Sequence, residues 1–184
     1  MLHLLITFLA GFVSGERIVQ TNNGPIRGIT LDSKNVEAFL GIPYAEPPVG
    51  NLRFARPVPK SSWTETYDAE ELPPACLQPG MEFSARHLNQ TSSRMDEDCL
   101  YLNLWVPKSD TALKTIMVYI YGGGFRTGSS SFVIYNGANL AQHGDVIVAS
   151  MNYRLGILGF FSGKFMHEYN CNYFYFYLNF HLQF

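Results

Sequence analysis

Three consecutive glycines follow an almost wholly apolar run, and they constrain this chain more than any other feature. Residues 115–121 are apolar nearly throughout, which is typical of a strand buried on both faces of a sheet. Gly122, Gly123 and Gly124 then let the backbone turn so that consecutive N–H groups face one point with no side chain in the way. Such donors can bind the negatively charged oxygen of a tetrahedral intermediate, so the sequence predicts an oxyanion hole.

A flexible turn and a phosphate-binding loop are the two other structures that three glycines allow. A phosphate-binding loop needs a lysine followed by Ser or Thr at a set spacing, or alternating glycines that open a helix. Neither pattern surrounds residues 122–124. The triplet therefore favours the oxyanion hole, and the flexible turn stays open as the alternative.

Apolar runs of strand length precede and follow the glycines. Residues 17–21 and 25–31 are short β-type runs separated by Asn-Asn-Gly, which is typical of a hairpin. Further strands are predicted at 36–40, 100–106 and 145–153, with two helical turns at 136–144 and irregular, proline-rich chain between 41 and 59. A strand, a helix and another strand indicate an α/β sheet.

The length, charge and N-terminus narrow the class of protein. A chain of 184 residues is enough for one domain, and a net charge of -2 without a basic stretch argues against a nucleic-acid partner. Residues 1–15 resemble a secretory signal cleaved near Gly15, because a short apolar core ends there on small residues. A buried first strand or helix is the alternative. The sequence thus predicts a secreted, extracellular protein without a transmembrane span.

Three cysteines and one sequon fit an extracellular setting. In a secreted protein Cys76 and Cys99 would close a polar loop, while Cys171 would be left over. Asn89 lies in that loop as part of Asn-Gln-Thr, an acceptor sequence for N-glycosylation. We therefore expect a glycan on the surface of the loop.

The last 21 residues differ in character from the rest of the chain. Residues 164–184 contain no glycine or proline and are rich in aromatic side chains, with almost no charge. Such a segment has high β-propensity and is an aggregation hazard when exposed. The interpretation is that 164–184 is a non-homologous tail, for example from an unspliced intron or an alternative terminal exon.

Four motifs in a fixed order resemble the type-B carboxylesterase family, which includes the cholinesterases. They are the glycine loop at 119–125, Glu-Asp-Cys-Leu-Tyr-Leu-Asn at 97–103, Asn-Tyr-Arg-Leu-Gly at 152–156, and the proline-rich run at 41–54. The resemblance covers about residues 16–163 and implies the N-terminal, incomplete portion of an α/β-hydrolase fold. That fold has a mixed, mostly parallel central sheet preceded by a small antiparallel one.

The resemblance also implies roles for particular residues, with no metal or cofactor among them. Gly123 and Gly124 would donate two N–H groups to the oxyanion, and Gly122 and Phe125 would shape the loop. Cys76 would form a disulfide with Cys99, and Arg53 would form a structural ion pair with Glu97. Residues 152–154 would have a structural role only.

The family's catalytic serine, acid and histidine have no counterpart in these 184 residues. No Gly-x-Ser-x-Gly sequence occurs, and Ser162 stands fourth instead of third in the nearest approach, residues 159–163. The five histidines (His3, His87, His143, His167 and His181) do not match the family's base, and Ser129, Ser130 and Ser131 are interpreted as turn residues. The chain is therefore predicted to be inactive.

The expected substrate of the full-length form is a small carboxylic ester. Cholinesterases hold quaternary ammonium against a tryptophan in the disulfide loop, whereas Phe83 is the aromatic residue of that loop here. Choline esters are therefore less favoured than ordinary esters. Two alternatives remain: a cholinesterase-like adhesion protein that has lost catalysis, and a short secreted decoy that binds through its aromatic tail.

Overall fold

The computed structural model describes residues 17–80, 94–109 and 113–161. Its longer strands are β1 (Arg17–Gln20), β2 (Pro25–Leu31), β3 (Val36–Pro43), β7 (Tyr101–Pro107), β8 (Ile116–Tyr119) and β9 (Ile147–Met151). The short strands are β4 (Tyr67–Asp68), β5 (Ala75–Cys76) and β6 (Met95–Asp96), and the α-helices are α1 (Ala138–Gly144) and α2 (Gly156–Phe160). Single 3-10 turns lie at Asp32–Lys34, Gly50–Leu52 and Val133–Tyr135.

The longer strands form one mixed sheet in the order β1-β2-β3-β7-β9-β8, with β4 beside β2. This confirms the expected α/β architecture with an antiparallel part before the central strands. The sheet is mixed as expected, but it is not mostly parallel: antiparallel pairs predominate over the described residues, and β8–β9 and β2–β4 are the parallel pairs of this sheet. The reason is connection length: β1, β2 and β3 follow each other through tight turns, whereas β8 and β9 are separated by α1, which allows parallel pairing.

β3 continues further into the proline-rich segment than the sequence predicted. It ends at Pro43, and its pairing with β7 shifts register between Phe39 and Ile42. Gly41, inside this bulge, has φ +74 and donates its N–H to the side chain of Asn103 at 3.0 Å. This β-bulge interrupts the regular pairing of β3 with β7, and the two strands pair again beyond it.

Alternating side chains of β7 divide the core between the two faces of the sheet. Leu102, Leu104 and Val106 pack on one face with Phe39 and neighbouring apolar residues. On the opposite face Trp105 packs against α1 and β9. The period-2 pattern of β7 thus contributes to both layers of the core. The parallel pairing of β8 with β9 places the carboxyl ends of these two strands side by side.

Strand β8 is not buried on both faces, in contrast to the prediction. Its four residues are all exposed, with side chains between 38% and 47% accessible, and Ile120 after it is 47% accessible. In the described part of the chain β8 pairs only with β9, so its other edge carries no strand and no helix covers it. An apolar strand at an open edge is a template for pairing with other chains.

Replacing Val118 at the centre of β8 by lysine is expected to slow aggregation of the 184-residue chain. A charge on the open edge opposes strand addition from another molecule, and a residue this exposed costs about 0.5 kcal/mol or less of folding free energy on substitution. Light scattering at matched concentration measures the rate. Val133→Lys, at an exposed valine away from the sheet edge, is the matched control. Equal rates for the two variants would contradict the assignment of β8 as the aggregating edge.

Candidate active site

The glycine loop lies where β8 ends, at the same edge of the sheet as the end of β9. Because these strands are parallel, the segments that follow them meet there. The N–H of Gly156, at the start of α2, donates to the carbonyl oxygen of Phe125 at 2.8 Å. The ring of Phe125 packs on Phe160 of α2 with 4.8 Å between ring centroids. The loop is therefore supported by the segment after β9.

Two glycines of the loop are required by its backbone. Gly123 has φ +143, and a Cβ there would overlap the carbonyl oxygen of Thr127. Gly124 has φ +59, a left-handed conformation that side chains disfavour, although the space around its Cα is open. The carbonyl oxygen of Gly123 accepts from the N–H groups of Arg126 and Thr127 at 3.1 and 3.2 Å, which closes the turn.

The N–H groups of Gly123 and Gly124 are available to a ligand. Both residues are exposed, and within the described parts of the chain neither N–H donates to a protein acceptor. Rigidly held peptide donors of this kind stabilise developing negative charge, because they need no reorientation as the charge appears. An oxyanion hole requires donors that are not already bonded to the protein, and over the described residues the two predicted donors meet that requirement.

Tyr121 and Tyr153 form a reciprocal buried pair directly before the loop. The hydroxyl of Tyr153 donates to the carbonyl oxygen of Tyr121 at 2.8 Å, and that of Tyr121 donates to the carbonyl oxygen of Tyr153 at 3.2 Å. Their rings stack with centroids 4.5 Å apart. Burial raises the pKa of both hydroxyls, so both remain protonated donors at neutral pH. This pair fixes the ends of β8 and β9 relative to each other.

A buried polar cluster lies beneath the same edge, and the sequence did not predict it. Asn152 accepts from the N–H and hydroxyl of Ser130 at 2.9 and 3.0 Å, and its amide donates to the carbonyl oxygen of Pro74 at 2.9 Å. Asn103 lies within 3.4 Å of Ser130 and within 3.3 Å of the Ser150 hydroxyl. Ser130 and its neighbour Ser129 are therefore buried anchors, beyond the role of turn residues expected for them.

The disulfide and the ion pair lie together beside this edge. Cys76 and Cys99 form a disulfide with 5.1 Å between their Cα atoms, joining the segments of β5 and β6. The guanidinium of Arg53 donates twice to the carboxylate of Glu97, both times at 2.6 Å, and this contact raises the pKa of Arg53. With Arg154, these residues line one small cavity. Arg154 donates to the carbonyl oxygen of Ala55 at 2.8 Å, so it ties the proline-rich segment to β9.

Several predicted site residues lie outside the described ranges. Among them are the signal segment 1–15, Phe83, the glycosylation candidate Asn89, Ser162 and the tail at 164–184. His143 is exposed in the last turn of α1. The structure thus brings together Gly122, Gly123, Gly124 and Phe125 as one loop, beside the disulfide region.

Over the described residues no helix is long and apolar enough to cross a membrane.

Comparisons with known proteins agree with this architecture. The sequence model of the Carboxylesterase family matches residues 15–174. The cholinesterase of Mus musculus is 42% identical over 87% of this chain, and the acetylcholinesterase of Electrophorus electricus is 46% identical over 79%. The chain spans 28% and 24% of those two relatives. A solved thermophilic PNB esterase superposes with a TM-score of 0.76 at 39% identity, over 84% of this chain and 31% of that structure.

Alanine at Gly123 is expected to destabilise the protein more than alanine at Gly124. The added Cβ at Gly123 meets the Thr127 carbonyl group, so we expect a loss of about 2–3 kcal/mol of unfolding free energy, against about 1 kcal/mol for Gly124→Ala. Urea unfolding followed by circular dichroism measures both. Gly50→Ala is the matched control for Gly124, because Gly50 has φ +55 and also lies in open space. Equal losses at Gly123 and Gly50 would contradict the steric account.

Proposed function

This chain belongs to the carboxylesterase family, and from that membership we propose that its glycine loop binds the oxyanion formed when a carboxylic ester is hydrolysed. The observation that carries the proposal is that Gly123 and Gly124 are exposed residues whose N–H groups have no protein acceptor over the described residues. Attack on the ester carbonyl carbon turns its oxygen into an anion, which these groups would stabilise. The loss of one such donor slows turnover by about 10²–10³.

Hydrolysis through an acyl-enzyme needs three further groups, which we propose this chain does not supply. A serine hydroxyl attacks, a histidine takes its proton, and a carboxylate orients the histidine. The 184 residues contain no Gly-x-Ser-x-Gly sequence, and His143, the histidine within the described ranges, is an exposed residue at the end of α1. The 184-residue chain alone is therefore inactive, and a longer product of the gene would be needed for hydrolysis.

The preferred ester in such a longer product is an ordinary carboxylic ester and not a choline ester. The segment between Cys76 and Cys99 contains no tryptophan or tyrosine that could hold a quaternary ammonium group. Beside the donors, the rings of Phe125 and Phe160 form an apolar surface that suits an uncharged acyl or alcohol group. A neutral ester fits both observations.

Secretion is part of the same proposal. The Cys76–Cys99 disulfide is stable in oxidising compartments, and residues 1–15 have the pattern of a cleaved signal. Expressed in a eukaryotic secretory system, the chain is expected to begin near Glu16 and to lose mass when treated with an N-glycosidase. N-terminal sequencing and mass spectrometry measure both, with Asn89→Gln as the control that removes the glycan. A retained Met1 on secreted protein would contradict the cleaved signal.

The 184-residue chain is expected to hydrolyse esters no faster than buffer alone does. The assay is hydrolysis of p-nitrophenyl acetate by the purified chain, because this ester is small and uncharged. Hydrolysis that an organophosphate abolishes would contradict the prediction, since it requires an activated serine.

Sequencing the transcript beyond the codon for Gly163 tests the proposal for the gene as a whole. An open frame that encodes Gly-Glu-Ser-Ala-Gly supports ester hydrolysis by the longer product. An intact frame without that serine supports a cholinesterase-like binding protein instead, in which the loop keeps its shape without a reaction.

A further inference from the structure

Gln78 contacts the far end of the glycine turn through both groups of its side-chain amide. Its Oε1 accepts from the N–H of Gly128 at 2.7 Å, and its Nε2 donates to the carbonyl oxygen of the same residue at 2.7 Å. A single side chain thus satisfies both polar backbone groups of one residue that lies 50 positions away. Among uncharged side chains, only a primary amide presents a donor and an acceptor in this paired arrangement.

Gly128 is the point at which the turn returns to the core. It is buried, has φ +128, and a Cβ there would overlap the ring of Tyr121. The turn therefore begins just after Tyr121 and ends against the ring of that same residue. Between these points its internal hydrogen bonds all converge on the carbonyl oxygen of Gly123. The position of Gly128 consequently sets how the segment from 122 to 127 is closed.

The amide of Gln78 is itself held by the disulfide region. Nε2 also donates to the carbonyl oxygen of Cys76 at 3.1 Å, so the side chain folds back on its own segment. Cys76 is 1% exposed, lies in β5 and is bonded to Cys99. The side chain of Gln78 therefore extends from a backbone segment that is held in place by the buried, disulfide-bonded Cys76.

We propose that Gln78 is a positioning residue, which holds the turn from Gly122 to Gly128 closed and transmits the constraint of the Cys76–Cys99 disulfide to the oxyanion donors. This rests on the proposed function of Gly123 and Gly124. Gln78 does not touch the oxyanion. It fixes Gly128, and through the closed turn it fixes the direction of the two N–H groups.

Trypsin cleavage after Arg126 measures the closure of the turn directly, because that bond lies inside it and the arginine is exposed. Gln78→Ala removes both contacts with Gly128, and it is expected to raise cleavage after Arg126 about tenfold relative to cleavage after Lys108. Gln78→Glu, which can accept but not donate when ionised, is expected to raise it as well. Gln142→Ala, at an exposed glutamine in α1, is the matched control and leaves the ratio unchanged.

Reduction of the disulfide tests the claim that the Cys76–Cys99 bond constrains the turn through Gln78. Mild reduction of the Cys76–Cys99 bond is expected to raise the same cleavage ratio in the unmodified chain and to add little in Gln78→Ala, because the two changes act through one contact. An unchanged ratio in Gln78→Ala overturns the proposal. So does an equal rise in cleavage after Arg126 and Lys108, since that reports general loss of the fold.

A spectroscopic measurement separates positioning from simple support of the fold. Dimethylarsinate, a tetrahedral anion, is titrated into the unmodified chain and into Gln78→Ala while the amide resonances of Gly123 and Gly124 are followed. We expect both resonances to shift in the unmodified chain, and the affinity to fall about tenfold in Gln78→Ala, with Gln142→Ala unchanged. Equal affinity in all three proteins overturns the positioning role.

The two proposals fail in different ways. If the unmodified chain shows no response to the anion while Gln78→Ala still opens the turn, the oxyanion assignment is wrong and Gln78 anchors only the turn. If the anion binds and the turn does not open in Gln78→Ala, the oxyanion assignment stands and the role of Gln78 is wrong.

Discussion

The parallel pairing of β8 with β9, fixed at its end by Tyr121 and Tyr153, determines where the candidate site can form. Each tyrosine hydroxyl donates to the other residue's carbonyl oxygen while the rings stack, so neither strand end can shift without breaking both contacts. The glycine turn leaves β8 from this point, and α2 leaves β9 from it. Leaving a buried hydroxyl or carbonyl group unpaired costs about 1–3 kcal/mol, so this junction is strongly specified.

Local sequence pattern predicted most strands, but it could not predict the exposure of β8. The alternation in β7 and the Asn-Asn-Gly turn are short-range signals, and the structure has the strands and the hairpin that they imply. The apolar run at 115–121 also indicated a strand correctly. Its burial depends on which elements cover it, and that information lies in the neighbours of the strand and not in its own residues. Over the described residues those neighbours are absent on one side.

Some residues of the candidate site could likewise be predicted from sequence, and others could not. Gly123 and Gly124 could be found from sequence, because a positive φ in a turn directly after an apolar strand restricts the residue type locally. The contacts of Gln78 with Gly128 and of Asn152 with Ser130 could not, since they join residues 50 and 22 positions apart whose types are common in ordinary loops. Polar residues that anchor a loop from a distance carry no periodicity and no motif of their own.

These distant anchors explain why the shape of an oxyanion loop and the ability to catalyse are separable. The closed turn depends on Tyr121, on Gln78 and on the steric requirement for glycine at Gly123, and none of these contacts involves a nucleophile or a base. The formation of this turn therefore does not require a catalytic serine. Since donors stabilise charge only after a nucleophile has created it, an oxyanion loop is in general a necessary part of an esterase site and not a sufficient one.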